Sequence, residues 1–264
     1  MTYGFIGTGN MGGALATALA KHGETIYLSN RTRAKAEVLS QKIGGTVVDN
    51  VTIAETCDFI FLGVKPQRMP ETLNPLKTHL SQRSTPFVLV SMAASLTIAA
   101  IQEMAGGNYP VIRIMPNTAC AVGAGMTLYC FSENVGENQL QAFLNSMEKS
   151  GELEELPEGL IDAGSAVAGC GGAYACLFLE GLADGGVSIG LPREKAMRFA
   201  RQMLMGTALL AKESGQHPGQ MKDAICSPGG TTIAGVRALE NRGFRAAAME
   251  AVIAAYNRTQ ELKK

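Results

Sequence analysis

A glycine triplet lodged between an apolar run and a helical one constrains this chain most. Tyr3 to Ile6 are apolar and β-prone, and read as a buried strand. An Ala- and Leu-rich segment from Gly13 to His22 puts Leu15, Ala18 and Leu19 on one helical stripe. Between them Gly7, Gly9 and Gly12 form G-x-G-x-x-G. Gly7 suits a tight turn, Gly9 lets the backbone approach a pyrophosphate, and Gly12 lets the helix pack close to the strand. The free N–H groups of the helix N-terminus then face the phosphates. A triplet alone is a weak signal. Set between a strand and a helix, at the first strand of the chain, it predicts a dinucleotide site.

The rest of the N-terminal half repeats strand and helix. Thr25–Ser29, Thr46–Val48, Asp58–Val64, Phe87–Val90 and Val111–Met115 read as strands. Helices are expected from Thr32, from Lys65-Pro66 to Leu80, and over Leu96–Met104. Gly125–Phe131, a helix over Gln139–Lys149 and a strand over Glu152–Leu156 would complete a doubly wound parallel sheet of Rossmann type. Past Pro157 the strands stop. Leu160–Gly186 reads as one long helix, apolar on every face. Further helices run from Pro192 to Gly215, and over Gly219–Ile225, Thr231–Asn241 and Phe244–Leu262. This predicts an α/β dinucleotide-binding domain over 1–157 and an all-α domain over 158–264. A helix apolar all round must be buried all round. So small a helical domain cannot supply that cover, which predicts an oligomer built through this half.

Composition excludes other classes. Basic and acidic residues balance at 23 each, with no long run of one sign, so no nucleic-acid or membrane-surface partner is expected. The uncharged run Ala163–Leu179 is short and glycine-rich for a membrane span, and the chain opens on a strand rather than a targeting segment. A soluble, cytoplasmic protein is expected. The six cysteines show no C-x-x-C pair and the three histidines are scattered, so reduced thiols and no metal site are expected.

An acidic residue at the end of the second strand would hold the ribose hydroxyls of NAD. Here the strand ends Leu28-Ser-Asn-Arg31-Thr-Arg33, without a carboxylate and with two guanidinium groups where a 2′-phosphate would lie. The pattern favours NADPH, with NADH as second choice; solvated arginines behind a Thr32 cap would look the same. The strand ends of such a sheet gather ligands. They carry Gly63-Val64-Lys65-Pro66, Ser91-Met92-Ala93-Ala94-Ser95 and Met115-Pro116-Asn117-Thr118, small or stiffened stretches suited to a crevice. Lys65, the charged member, serves either the cofactor or the strand end.

Far along the chain, Ser227-Pro228-Gly229-Gly230 forces a second turn, and Thr231-Thr232 opens a helix with Ile233, Val236 and Leu239 on its buried side. Such a turn is a second anion cradle, suited to a small carboxylate held by backbone N–H groups. A capped helix after a tight turn is the plainer alternative.

This stretch resembles the signature of the pyrroline-5-carboxylate reductases. The resemblance runs from Gly4 to near the chain end. It takes in Phe5-Ile-Gly-Thr-Gly-Asn-Met-Gly12, Val64-Lys-Pro-Gln67, Arg113-Ile-Met-Pro-Asn-Thr118, Ala173-Tyr174, Gly190-Leu-Pro192, His217-Pro-Gly219, Lys222-Asp223 and Ser227-Pro-Gly-Gly-Thr-Thr232. Departures fall at Ala168-Gly-Cys-Gly-Gly-Ala-Tyr174, at Ser95, where the family's Ala-Gly pair ends, and at Ala119, where the family has proline. The resemblance implies NAD(P)H-dependent reduction of the cyclic imine L-1-pyrroline-5-carboxylate to L-proline, the last step of proline biosynthesis. It also implies a helical domain forming a homodimer, with dimers joining into a ring. Cofactor contacts would fall on Ile6, Gly7, Thr8, Gly9, Asn10, Met11, Asn30, Asn50, Gly63–Pro66 and Met92–Ala94. Thr232 would meet the imine nitrogen, Gly229, Gly230 and Thr231 the carboxylate, and Glu158 the substrate. With an iminium bound, little general-acid work is left to the protein, and Thr232 orients the nitrogen.

Two other readings compete. The opening loop also resembles that of β-hydroxyacid dehydrogenases, but Ala175 stands where those enzymes carry a catalytic lysine. A non-enzymatic dinucleotide-sensing regulator would have no use for the Ser227–Thr232 cradle.

Overall fold

Eight strands form one sheet: β1 (Thr2–Ile6), β2 (Thr25–Ser29), β3 (Thr46–Val47), β4 (Phe59–Leu62), β5 (Val88–Ser91), β6 (Val111–Met115), β7 (Gly125–Phe131) and β8 (Gly151–Glu155). Their spatial order is β3-β2-β1-β4-β5-β6-β7-β8. The first six follow the Rossmann order. The computed structural model describes residues 1–21 and 23–263; the expected helix end at His22 lies outside them. Neighbours pair in parallel except β6 and β7, which are antiparallel. This departs from the all-parallel expectation, for a steric reason. Only residues 116–124 join β6 to β7, with a 3-10 turn at Thr118–Val122. A parallel crossover takes about a dozen residues or more, so the chain folds straight back.

Strands β4, β5 and β6 are buried along their whole length. On one face Phe5, Phe61, Leu15, Leu19 and Phe143 form the core, with the Phe5 and Phe61 rings stacked at 4.5 Å. On the other, Ile60, Leu62, Leu89, Met69 and Ile101 pack together. Alternate residues thus feed two cores, which is why these strands read as unbroken apolar runs.

Several helical expectations change. The helix expected from Gly13 starts at Asn10, so Gly12 lies in its first turn. The helix expected up to Leu80 is broken into Pro66–Arg68, Met69–Leu73, Asn74–Leu76 and Lys77–Ser81, because Pro70 and Pro75 lack donors and crowd the preceding turn. A helix at Asn50–Thr56, absent from the sequence reading, is capped by Asp49, whose carboxylate accepts from the Thr52 N–H at 2.7 Å. That hydrogen bond holds the Asp49 carboxyl below its ordinary range.

The chain forms two compact units: Met1–Cys170 together with the C-terminal residues from Ala255, and Gly171–Ala254. The helix Ile161–Ala168 belongs to the first, where Ile161 packs with Met115, Leu128 and Cys130. The single helix expected over Leu160–Gly186 is therefore two, parted at Gly169-Cys170. By length and composition alone, Glu158–Ser188 is apolar enough to cross a membrane.

The second unit is built from Gly171–Ser188, Arg193–Ser214, Pro218–Ile225, Thr231–Asn241 and most of Phe244–Glu261. The first of these helices buries only Ala183, and the last two bury nothing within the chain. Leu177 is 72% exposed and Ile189 82%. The expected buried side of Ile233, Val236 and Leu239 is therefore not buried in one chain: the apolar face is there and stays uncovered among the described residues.

Candidate active site

The first cradle is enforced by backbone contact. Gly7 has φ +103°, and a Cβ on it would meet the Gly63 carbonyl oxygen at 2.6 Å. A Cβ on Gly12 would lie 2.2 Å from the Gly7 oxygen. The end of β1 is tied to β2 by the Gly7 N–H donating to Ser29 O (2.8 Å) and to β4 by the Gly63 N–H donating to Ile6 O (2.9 Å). Gly9 differs: a Cβ there would meet nothing within 4 Å, leaving open space in front of the loop. Gly9 caps the helix Asn10–Ala20 without a side-chain bond and no acidic residue occupies the first turn. The Thr8 hydroxyl is buried with no partner among the described residues. Uncapped N–H groups, an orphaned hydroxyl and open space beside Gly9 fit a bound pyrophosphate.

Around it, the Thr8 N–H donates to Asn30 Oδ1 at 3.2 Å, and the Ser29 hydroxyl donates to Asn50 Oδ1 at 2.6 Å. Asn30 and Asn50 thus brace the loop and the end of β2. Arg31, Thr32 and Arg33 are exposed. Arg33 pairs with Glu37 at 2.9 Å, which leaves Arg31 as the guanidinium suited to a 2′-phosphate. Lys65 is exposed and starts the turn Pro66–Arg68, its carbonyl accepting from the Arg68 N–H at 2.8 Å. Past β5, Ala93 is buried and its N–H reaches the Ser91 hydroxyl at 3.4 Å, while Ala94 is exposed. Ser95 has φ +69°, the one described non-glycine residue in the left-handed region, where the family's glycine would sit without strain.

A buried charge cluster was missed in the sequence. Arg113, 1% exposed, donates to Asp162 Oδ1 at 2.7 Å and to Glu158 Oε1 at 3.4 Å. The Lys263 ammonium lies 2.5 Å from Asp162 Oδ2. Burial opposes ionisation of Asp162, but the Lys263 hydrogen bond and the Arg113 and Lys263 charges hold its carboxyl below 3.8. The signal was an arginine inside the apolar strand Val111–Met115, since a buried charge needs a partner. Glu158 Oε1 also accepts from the Ile98 N–H at 2.7 Å.

In the second unit, Gly229 has φ +67° and the Gly230 N–H donates to Ser227 O at 3.0 Å. Gly230 caps the helix Thr231–Asn241 without a side-chain bond, and Thr231 and Thr232 are exposed. The Gly230 N–H is thus spent within the turn, and the uncapped helix start with the exposed Thr231 and Thr232 hydroxyls is what a carboxylate cradle can use. Elsewhere in this unit, His217 Nδ1 accepts from the Gly219 N–H at 3.1 Å, and the Tyr174 hydroxyl donates to Ala251 O at 3.1 Å. Ala175 lies within the helix Gly171–Ser188. Among the described residues no cluster of His, Cys, Asp or Glu could hold a metal ion.

Residues 158–262 match the family model for pyrroline-5-carboxylate reductase dimerisation. The pyrroline-5-carboxylate reductase of Escherichia coli (strain K12) is 37% identical across 99% of this chain and 98% of its own. The chain belongs to the pyrroline-5-carboxylate reductase family. Residues 2–95 also match a model described as NADP oxidoreductase, coenzyme F420-dependent. The pyrroline-5-carboxylate reductase of a Synechocystis species is 44% identical over 82% of this chain and 79% of its own. The crystal structure of Plasmodium falciparum pyrroline carboxylate reductase with NADP bound superposes with a TM-score of 0.90. It is 32% identical and covers 100% of this chain and 98% of that one. The family's dimerisation domain thus corresponds to the half whose apolar side chains lie exposed.

Proposed function

We infer that this protein reduces L-1-pyrroline-5-carboxylate to L-proline with NADPH, delivering hydride to the C=N carbon, as the last step of proline biosynthesis. The observation that carries the reading is the full-length kinship with pyrroline-5-carboxylate reductases, one of them solved with NADP bound. NADPH, when bound, supplies the hydride. The Gly7–Met11 backbone would hold the pyrophosphate, with Ile6 ending the strand that leads into it and Asn30 and Asn50 bracing the loop. Arg31 takes the 2′-phosphate. Gly63–Pro66 and Met92–Ala94 wall the nicotinamide end. Gly229, Gly230 and Thr231 form the substrate carboxylate site, the N–H groups of Gly229 and Thr231 and the Thr231 hydroxyl donating while the Gly230 N–H closes the turn onto Ser227, and the second oxygen of Glu158 is left for a substrate contact. Thr232 hydrogen-bonds the imine nitrogen. An imine bound as the iminium already carries its proton, so the protein's work is orientation and charge matching rather than proton donation.

Residues 1–157 serve the dinucleotide, and 158–264 serve the substrate and self-association. The functional unit is a homodimer through the helical half, supported by the exposed apolar side chains there, with dimers joining into a ring. Such a surface belongs against a second chain rather than in a bilayer. All six cysteines are free, and burial pushes the Cys57 thiol up to about 12 and that of Cys130 up to about 11, as suits a reducing cytoplasm.

One assay tests the chemistry: NADPH oxidation on addition of pyrroline-5-carboxylate, with proline identified as product. Turnover of a β-hydroxyacid instead would overturn it. Sedimentation equilibrium tests the assembly, and a stable monomer would remove the dimer.

A further inference from the structure

The loop Met92–Thr97 leaves β5 and enters the helix Ile98–Ala105. It holds one of the chain's strained positions, Ser95 at φ +69°. A non-glycine residue stays in that region only where its surroundings over-determine it. Two groups hold the far end of this loop. Thr97 caps the helix, its hydroxyl accepting from the Ala100 N–H at 3.2 Å. The carboxylate of Glu158 accepts from the Ile98 N–H at 2.7 Å through the same oxygen that faces Arg113 at 3.4 Å. Glu158 is 34% exposed, whereas Arg113 and Asp162 are almost wholly buried and joined at 2.7 Å. The loop is thereby anchored to a charge pair in the core rather than to another loop.

We propose that Glu158 is a positioning residue: its carboxylate fastens the start of the helix Ile98–Ala105 to the buried Arg113–Asp162 pair, and so sets the backbone of Met92–Ala94 against the nicotinamide. The proposal rests on reading Met92–Ala94 as a wall of the cofactor site. It gives Glu158 a part in cofactor binding that a substrate contact alone would not.

The test compares wild-type enzyme with Glu158→Ala, Glu158→Gln and Ile98→Pro. Proline is tolerated at the first helical position, and there it removes the N–H that Glu158 accepts while leaving the carboxylate in place. NADPH affinity is read by fluorescence titration without imine, followed by kcat and both KM values. Glu158→Ala is expected to weaken NADPH binding and raise its KM about tenfold, as for loss of a hydrogen bond to a charged group. KM for the imine should rise as well, through the lost substrate contact, but stay near wild type in Ile98→Pro, which keeps the carboxylate. Ile98→Pro should reproduce the NADPH loss, and Glu158→Gln, which keeps an acceptor oxygen, should recover most of it. A wild-type NADPH affinity in both Glu158→Ala and Ile98→Pro overturns the proposal. So does a Glu158→Ala defect confined to KM for the imine, which would make Glu158 a substrate contact only. Failure of the wild-type enzyme to bind NADPH would instead overturn the cofactor-site reading itself.

Discussion

The two glycine-led turns look alike in sequence and differ in what holds them. At Gly7–Gly12 the glycines are demanded by backbone: a Cβ on Gly12 or Gly7 would strike a carbonyl oxygen at 2.2 or 2.6 Å. At Gly229–Gly230 the demand is softer. A Cβ on Gly229 would meet nothing within 4 Å, and one on Gly230 would first meet the Ser227 hydroxyl at 2.3 Å. The first turn presses the Gly7 and Gly12 backbone against its neighbours while leaving Gly9 open, whereas the second opens a helix that buries nothing within its own chain. One cradle is finished by the fold of a single chain. The other is carried on a domain whose apolar side chains stay exposed in one chain.

The largest contrast lies in how each region is stapled. The first unit contains the Arg113–Asp162 pair, and Asp162→Asn would leave the Arg113 charge buried without its main partner. Its stability should fall by about 3 kcal/mol, read by denaturant unfolding. The pH dependence follows from the lowered carboxyl. A group with a depressed folded pKa adds stability above its unfolded value, near 3.8, and loses it as pH falls through the lower folded value. Wild-type protein should therefore lose this contribution below about pH 3.8, and Asp162→Asn should have none to lose. Equal acid sensitivity in the two proteins would contradict the assignment.

Next come the glycines themselves. Gly12→Ala should cost about 1–3 kcal/mol of stability through overpacking against backbone, and should abolish measurable NADPH binding. Gly229→Ala should cost about 1–2 kcal/mol for its left-handed φ, with NADPH binding unchanged and KM for the imine raised. Matching losses of NADPH affinity in both variants would erase the distinction between the cradles. Smallest is Arg31→Ala, an exposed side chain. Its KM for NADPH should rise about fivefold, the scale of an exposed ion pair, with KM for NADH and the melting temperature unchanged.

Much of this was legible in the sequence where the physics is local. β6 and β7 end at the residues where their apolar runs end, because a buried strand must be apolar and its flanks need not be. The glycine loop was legible for the same reason: strand, turn and helix lie within twenty residues of one another, as dinucleotide sites of this kind do. What stayed hidden depends on distant partners. The antiparallel turn into β7 follows from a connection too short to cross over, not from any property of Gly125–Phe131 itself. Asp162 carries no local mark of its role, since its partner Arg113 lies on a strand far earlier in the chain. The helical half was legible as apolar and as too small to cover itself; what periodicity did not reveal is that the side of Ile233, Val236 and Leu239 read as buried stays uncovered within one chain.

The central claim is that the second cradle, and Thr232 in particular, handles the imine while the first handles the dinucleotide. The most direct measurement is kcat/KM for pyrroline-5-carboxylate with Thr232→Ala at saturating NADPH. Thr232 is exposed, so the variant should fold and bind NADPH as wild type does. Its kcat/KM should nevertheless fall by about tenfold or more, the scale of one hydrogen bond to a charged nitrogen. An unchanged kcat/KM would contradict the account.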